Sequence, residues 1–373
     1  MRLTDICDFQ GGSQPPKDEW LFEKQEGYIR MLQIRDFTQS EKVVPEYVKI
    51  SKSTKICQAD DILIARYGAS IGKILTGLSG AYNVAIMRAI PDTHMLQKKY
   101  LYYYLKSPYF QTAILNVGSR AAQAGFNKED LSKLEIKCPL LSEQDSIIDI
   151  LQKVESIIGK IKKELIFLDE LVKARFVEMF GDEKNELIRL GDVCIKITDG
   201  THKTPKYLDR GITFISAKNI VNGELNFSDV KYISEDEYME IQKRCQTELN
   251  DILLSKSGSL GEPVIVKSEE RLGLFESLAI IKYDRNKLLP EFLCEQLKTE
   301  KIQRQFRTGT KGVAVKHLHL GVIADIGIIV PPIELQNQFA DFVKRIDKSK
   351  VAIKKSLDET QILFDSLMQK YFG

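Results

Sequence analysis

The sequence predicts an α/β chain built twice over: two α/β units in a pseudo-twofold arrangement, joined by two long helices that form an antiparallel coiled coil. Three observations carry that expectation. Residues 139–181 return at a constant offset as residues 331–373: Pro139 matches Pro331, Gln144 matches Gln336, Ile161-Lys162-Lys163 matches Ile353-Lys354-Lys355, and Phe180-Gly181 matches Phe372-Gly373. Both repeated segments place apolar residues at alternating steps of four and three, the signature of paired helices. Each follows a stretch of short strand-like runs broken by turns, and 373 residues exceed what one core usually serves. The implied boundaries are a first unit over 1–140, a helix and linker over 141–187, a second unit over 188–332 and a second helix over 333–373.

In the first unit "DILIA" from Asp61 and "LEIKC" from Leu134 are strand-like, as are "DILLS" from Asp251 and "IGIIVP" from Ile326 in the second. Looser repeats tie the units together. "LTDIC" from Leu3 is similar to "LGDVC" from Leu190, "DILIARYGASIGK" from Asp61 to "DILLSKSGSLGE" from Asp251, and "YLYYYLKS" from Tyr100 to "FLCEQLKT" from Phe292. After the apolar run from Asp61 comes a turn holding Arg66, Tyr67, Ser70 and Lys73, and after that from Asp251 a turn holding Lys256 and Ser257. Backbone N–H groups freed in such turns, beside a cation, suit a phosphate backbone. "GASIGK" is too short between its glycines for a nucleotide-binding loop and lacks Ser or Thr after Lys73. A second polar loop closes each unit, with Arg120 and Gln123 in one and Lys311 and Lys316 in the other. These side chains can bond base edges or phosphates, or simply face solvent.

The first long helix is expected from Glu143, with Ser142 and Asp145 as a capping box after Pro139. Its seam is Ile147, Leu151, Val154, Ile158, Ile161, Leu165, Leu168 and Val172. The second seam is Phe339, Val343, Ile346, Ile353, Leu357, Phe364 and Leu367, with Lys350 and Thr360 where apolar residues are expected. Each helix would be about 55 Å long at about 1.5 Å per residue. The alternative is two amphipathic helices, each packed on its own unit.

Composition excludes several classes. Lys and Arg total 54 against 52 Asp and Glu, so a nucleic-acid partner is neither demanded nor excluded by net charge. The six cysteines are scattered singly, which predicts reduced thiols and no zinc site. No apolar run reaches a membrane-spanning length, and "MRLTDICDFQ" lacks a secretory signal, so a soluble cytoplasmic chain is expected. His317 and His319 lack a third metal ligand. No methyltransferase tetrapeptide, cofactor glycine fingerprint, nucleophile elbow or zinc-protease motif occurs, so neither catalysis nor a cofactor of its own is expected.

The whole chain resembles the specificity subunit of type I restriction-modification enzymes. The resemblance rests on "TDGTHKTPKYLDRGITFISAKNI" from Thr198, on "CPLLSEQ" from Cys138 and "VPPIELQ" from Val330 before the helices, and on "GDVC" from Gly191 and "NDILLSKSGSLG" from Asn250. The first unit departs, reading "FQGGSQPPKDEW" from Phe9 where the second has its DGTHKTP loop. The resemblance implies two target recognition domains that read a bipartite double-stranded DNA, one half-site each. The helices would act as a ruler between half-sites about 34 Å, or roughly ten base pairs, apart. It implies methyltransferase subunits that carry S-adenosylmethionine and modify adenine N6, a motor-nuclease subunit that cleaves, and no membrane partner. Thr201, His202, Lys203, Thr204, Lys218, Asn219, Lys256, Ser257, Lys311 and Lys316 would line the second DNA face, and Gln14, Arg35, Arg66, Tyr67, Ser70, Lys73, Arg120 and Gln123 the first. Competing readings are the recognition subunit of a related bipartite (type IIB-like) system, a coiled-coil scaffold without a DNA role, and a self-contained DNA enzyme.

Overall fold

Each repeated segment forms one unbroken helix of 40 residues, Leu141–Phe180 and Ile333–Phe372. The computed structural model describes residues 1–39, 43–118, 125–181, 186–309 and 317–373. One unit comprises Met1–Lys162 with Lys355–Gly373, and the other Lys163–Lys354, so each long helix gives one end to each unit.

The seam positions turn inward on both helices. Leu151, Val154, Ile158, Val172, Phe339 and Val343 are buried, and the remaining seam residues are half-buried, whereas Ile150, Ile157 and Ile166 between them are exposed. In the first unit Ile147, Ile148 and Leu151, near the start of the first helix, share a core with Phe364, Leu367, Met368 and Phe372, near the end of the second. In the second unit the end of the first helix, Val172, Phe176 and Phe180, shares a core with the start of the other, Phe339, Val343 and Ile346. Start meets end both times, so the helices pair antiparallel. The two non-apolar seam positions are accommodated: Lys350 Nζ lies 2.5 Å from Asp169 Oδ1, and the Thr360 hydroxyl donates back to Ser356 O at 2.7 Å.

The helix start differs from the expected capping box. Leu140 N donates to Glu143 Oε2 at 3.0 Å, while Asp145 accepts from Gln97 Nε2 and the Ser142 carbonyl accepts from Ser146 Oγ. Gln144 takes over the anchoring. It is fully buried; its Oε1 accepts from Gln97 N at 2.8 Å and its Nε2 donates to Met95 O and Pro139 O at 2.8 and 2.9 Å. Gln336 repeats this with Leu289 N, Lys287 O and Pro331 O at 2.9, 2.8 and 2.8 Å. Three bonds from one buried amide fix the first turn of each long helix to its own unit.

Each unit is a mixture of helices and small, largely antiparallel sheets. In the first, one sheet runs Cys7–Gly11, Ile86–Pro91, Ile62–Ala65, Ile74–Leu75 in spatial order, and a second runs Glu46–Lys49, Tyr28–Leu32, Gly80–Tyr82, Ile56–Cys57. The second unit repeats them as Cys194–Asp199, Leu278–Tyr283, Ile252–Ser255, Pro263–Ile265 and as Lys231–Ile233, Ile212–Ile215, Leu272–Leu274. One parallel pairing occurs at the same place in each: Leu32 faces Tyr82, and Ile215 faces Leu274. The "DILIA" and "DILLS" runs are buried central strands; "IGIIVP" contributes the short strand Gly327–Ile328, paired with Ile188–Arg189. "LEIKC" is not a strand but a single bridge, Arg2 to Glu135. Helices Lys98–Lys106 and Pro290–Lys298 then pack on the last phenylalanine of a long helix. Phe372 meets Tyr100 at 5.0 Å between ring centroids and Phe180 meets Phe292 at 4.9 Å, contacts worth about 0.5–1.5 kcal/mol each beyond burial.

Candidate nucleic-acid interface

In both units the first strand is followed by a glycine pressed against the backbone of a neighbouring segment. A Cβ at Gly200 would collide with Leu274 O, and one at Gly12 with Asn83 O and Tyr82 O, so no side chain fits. The surrounding hydrogen bonds correspond one by one. Gly12 N donates to Ile86 O at 3.1 Å, Ser13 N to Tyr82 O at 3.0 Å and Arg66 N to Ala85 O at 2.8 Å; Gly200 N donates to Leu278 O at 3.3 Å, Thr201 N to Leu274 O at 2.9 Å and Lys256 N to Ser277 O at 2.7 Å. A capped turn follows the same strand in each, with Gln33 N bound to Asp36 Oδ2 and Ser216 N to Asn219 Oδ1. These bonds equate Gly11 with Asp199, Gln14 with His202, Arg66 with Lys256, and Arg35 with Lys218.

In the second unit the frame carries a charge cluster centred on Asp199, which is buried. Its Oδ1 pairs with Arg244 Nη2 and its Oδ2 with Lys256 Nζ. His202 sits with Nε2 3.3 Å from Asp199 Oδ2 and Nδ1 3.1 Å from Glu276 Oε2, one carboxylate at each ring nitrogen. Burial of Asp199 works to raise its pKa, but the Lys256 hydrogen bond and charge, with Arg244 and His202, outweigh it and hold the carboxyl below its ordinary value. Burial first, and then the Lys256 charge, push the nearby His317 imidazole down, favouring its neutral form. Thr201 Oγ1 closes a turn with Lys203 N and O at 3.2 and 3.1 Å, leaving Lys203 and Thr204 exposed. With the helix Glu235–Arg244 this loop walls a cavity of about 570 Å³.

Two residues expected on the DNA face are placed differently. Lys256 is 2% exposed and its ammonium points at Asp199, so its chemistry is that of a buried pair and not of a surface cation. Asn219 is buried, and its Nδ2 donates to Asn226 O and Asp229 O, holding the turn that exposes Lys218. Lys218 pairs with Asp229 at 3.1 Å, and Ser257 is half-buried. Ser277 joins this turn to Lys256, since its Oγ accepts from Ala217 N and its carbonyl from Lys256 N.

The first unit has no carboxylate at the centre, because Gly11 stands where the second has Asp199. Arg66 is half-buried; its Nε donates to Phe126 O at 3.2 Å, its Nη1 to Val84 O at 3.4 Å, and its guanidinium lies 5.0 Å from the Tyr67 ring centre. Gln14, Tyr67 and Lys73 are exposed, Ser70 is half-buried, and exposed Arg35 pairs with Glu46. Arg120, Gln123, Lys311 and Lys316 lie outside the described residues. The Gly- and Ser-rich turns use some of their amides internally. Ile71, Gly72 and Lys73 donate to Gly68, Ala65 and Ser70, and Leu260 and Gly261 to Gly258 and Ser255. Arg244 and Glu276 escaped sequence reasoning. Arg244 ends a helix that the first unit replaces by a short turn at Ser51–Thr54, so no repeat pointed to it. Among the described residues no cluster of His, Cys, Asp or Glu is placed to hold a metal ion.

A duplicated α/β frame with constant backbone and differing side chains, carried on paired helices, defines the class. The family described as the type I restriction modification DNA specificity domain matches residues 1–166 and 182–361, and the chain belongs to it. The chain is 22% identical over 377 residues to the type I restriction enzyme MjaVIII specificity subunit of Methanocaldococcus jannaschii, covering 93% of this chain and 85% of that one. Its fold is similar to the crystal structure of the type I restriction-modification S subunit from M. genitalium, with TM-score 0.52, 17% identity, and 100% and 95% of the two chains covered. It is similar also, with TM-score 0.56 and 14% identity over 100% and 96%, to a chain solved in work on complex assembly and conformational transition of the type I R-M system. Among the described residues no helix is long and apolar enough to cross a membrane.

Proposed function

We propose that this chain is the DNA-reading subunit of a type I restriction-modification complex. It binds a bipartite double-stranded target in the cytoplasm, one half-site per recognition domain, with domains over 1–140 and 188–332 and helical spacers over 141–187 and 333–373. The observation that supports this most is the paired frame: the same hydrogen bonds present Gln14 and Arg66 in one unit and His202 with Asp199 and Lys256 in the other. One backbone holding two sets of polar side chains is what reading two different half-sites requires, since base edges are told apart by donor and acceptor pattern. Exposed Lys203, Thr204, Lys218, Arg35 and Lys73 serve the phosphates, which position without specifying. The chain supplies no catalytic group. Methyltransferase subunits bring S-adenosylmethionine and methylate adenine N6, and a motor-nuclease subunit cleaves.

The test is selection by the purified full chain, with its methyltransferase subunits, from a pool of randomised DNA duplexes. The expected result is enrichment of two short sequence blocks at one fixed gap. A pool that emerges unenriched contradicts the reading.

A further inference from the structure

The corresponding hydrogen bonds place Gly11 and Asp199 at one position of the duplicated frame, and Arg66 and Lys256 at the position facing it. In the second unit that cation is consumed: Lys256 is buried against Asp199, and the same carboxylate takes Arg244 and His202. In the first unit, among the described residues, no carboxylate pairs with Arg66. Its contacts are two backbone carbonyls and the Tyr67 ring, and the nearest atom to a Cβ built on Gly11 is Arg66 Nη1, at 3.4 Å.

We propose that the residue at this position decides how each unit meets DNA: Gly11 leaves the Arg66 guanidinium unclaimed by a carboxylate, with N–H groups beyond those given to Phe126 O and Val84 O to bind acceptors on the nucleic acid, whereas Asp199 withdraws Lys256 and makes it a positioning residue for His202. This rests on the DNA-reading function above. A guanidinium stacked on an aromatic ring has fixed planar geometry, and its fork matches either a phosphate or the O6 and N7 edge of guanine. A lysine ammonium held between buried groups can do neither. The two half-sites are therefore read by unlike chemistry at one equivalent spot, with Arg66 and Gln14 in one unit and His202 and Thr201 in the other.

Gly11→Asp tests this, because it installs the second unit's carboxylate opposite Arg66. Gly11 is extended, and among the described residues the one atom within 4 Å of its built Cβ is the end of a flexible side chain, so the carboxylate fits. The full chain is assayed for retention of mixed-sequence double-stranded DNA across a salt series, and by selection from the randomised pool, with Arg66→Gln and Gly11→Ala beside it. If Arg66 meets a phosphate, Gly11→Asp and Arg66→Gln each lower the slope of log affinity against log salt by about 0.9 and weaken all sequences alike. If it meets guanine, each removes preference at one position of one half-site and leaves the other half-site intact. Gly11→Ala behaves as the parent in both cases. Parent-like Gly11→Asp and Arg66→Gln, or a Gly11→Ala loss as large as that of Gly11→Asp, overturn the inference while leaving the DNA-reading function standing. A parent chain that retains no DNA overturns both.

Discussion

Replacing Asp199 with alanine removes the centre of the second unit's charge cluster. Lys256, 2% exposed, would be left without a carboxylate, and losing one partner of a buried ion pair typically costs about 3–5 kcal/mol. Arg244 and His202 are each more than half exposed, so water replaces the lost contact and adds at most about 1 kcal/mol. Lys256→Met should cost less, roughly 1.5–3 kcal/mol, because Asp199 keeps Arg244 and His202. Asp199→Leu with Lys256→Met removes both buried charges and should return stability close to the parent. Urea unfolding of the purified chain, followed by far-ultraviolet circular dichroism, measures all three variants against the parent. The double variant should still bind DNA less well, since His202 loses the group at its Nε2. An Asp199→Ala loss below about 1 kcal/mol, or full DNA retention by the double variant, refutes the cluster as the loop's anchor. Acid provides an independent check. Because the folded pKa of Asp199 is depressed, its contribution is present above the unfolded value of about 3.9 and lost as pH falls through the folded value. Asp199→Ala should therefore flatten part of the acid limb of the stability curve; an unchanged limb contradicts the assignment.

Gln144→Ala and Gln336→Ala each break three hydrogen bonds at a buried helix start and should each cost about 2–4 kcal/mol in the same urea titration; a loss under about 0.5 kcal/mol would show that water replaces the amide. Inserting a heptad after Ile158, with a matching heptad in the second helix, adds about 10 Å and should widen the selected gap by roughly three base pairs while both half-site sequences persist. An unchanged gap rules out the ruler. Lys203→Ala, which removes an exposed cation that no carboxylate pairs with among the described residues, should weaken retention of all duplexes alike and lower the salt slope by about 0.9, and an unaltered slope rules out a phosphate contact.

The helices were the most legible part of the sequence because their constraint is periodic. Every seam residue from Ile147 to Val172 and from Phe339 to Leu367 turns inward. What the spacing hid is the second face of each helix, where Ile148, Phe176, Phe180, Met368 and Phe372 pack on the units. Those contacts follow a step of four that a heptad template does not score. Gln144 and Gln336 stood out as a matched pair, yet little that is local announced their role, since two of the three partners of each lie more than 40 residues back along the chain. The expected capping box at Ser142 failed for the same reason: Asp145 serves a side chain from another segment. In the recognition units, polar loops were legible and their wiring was not. Lys256 read as a surface cation because it follows a strand beside glycines, the pattern Arg66 shares; only the carboxylate at Asp199, brought alongside by sheet register, separates the two.

Mapping N6-methyladenine across the genome of the organism that carries this chain, with the gene intact and deleted, tests the central claim most directly. The account predicts that deletion abolishes methylation at one bipartite sequence, two specific blocks separated by a fixed unspecified gap. Methylation unchanged by deletion, or lost only from a single uninterrupted sequence, would contradict it.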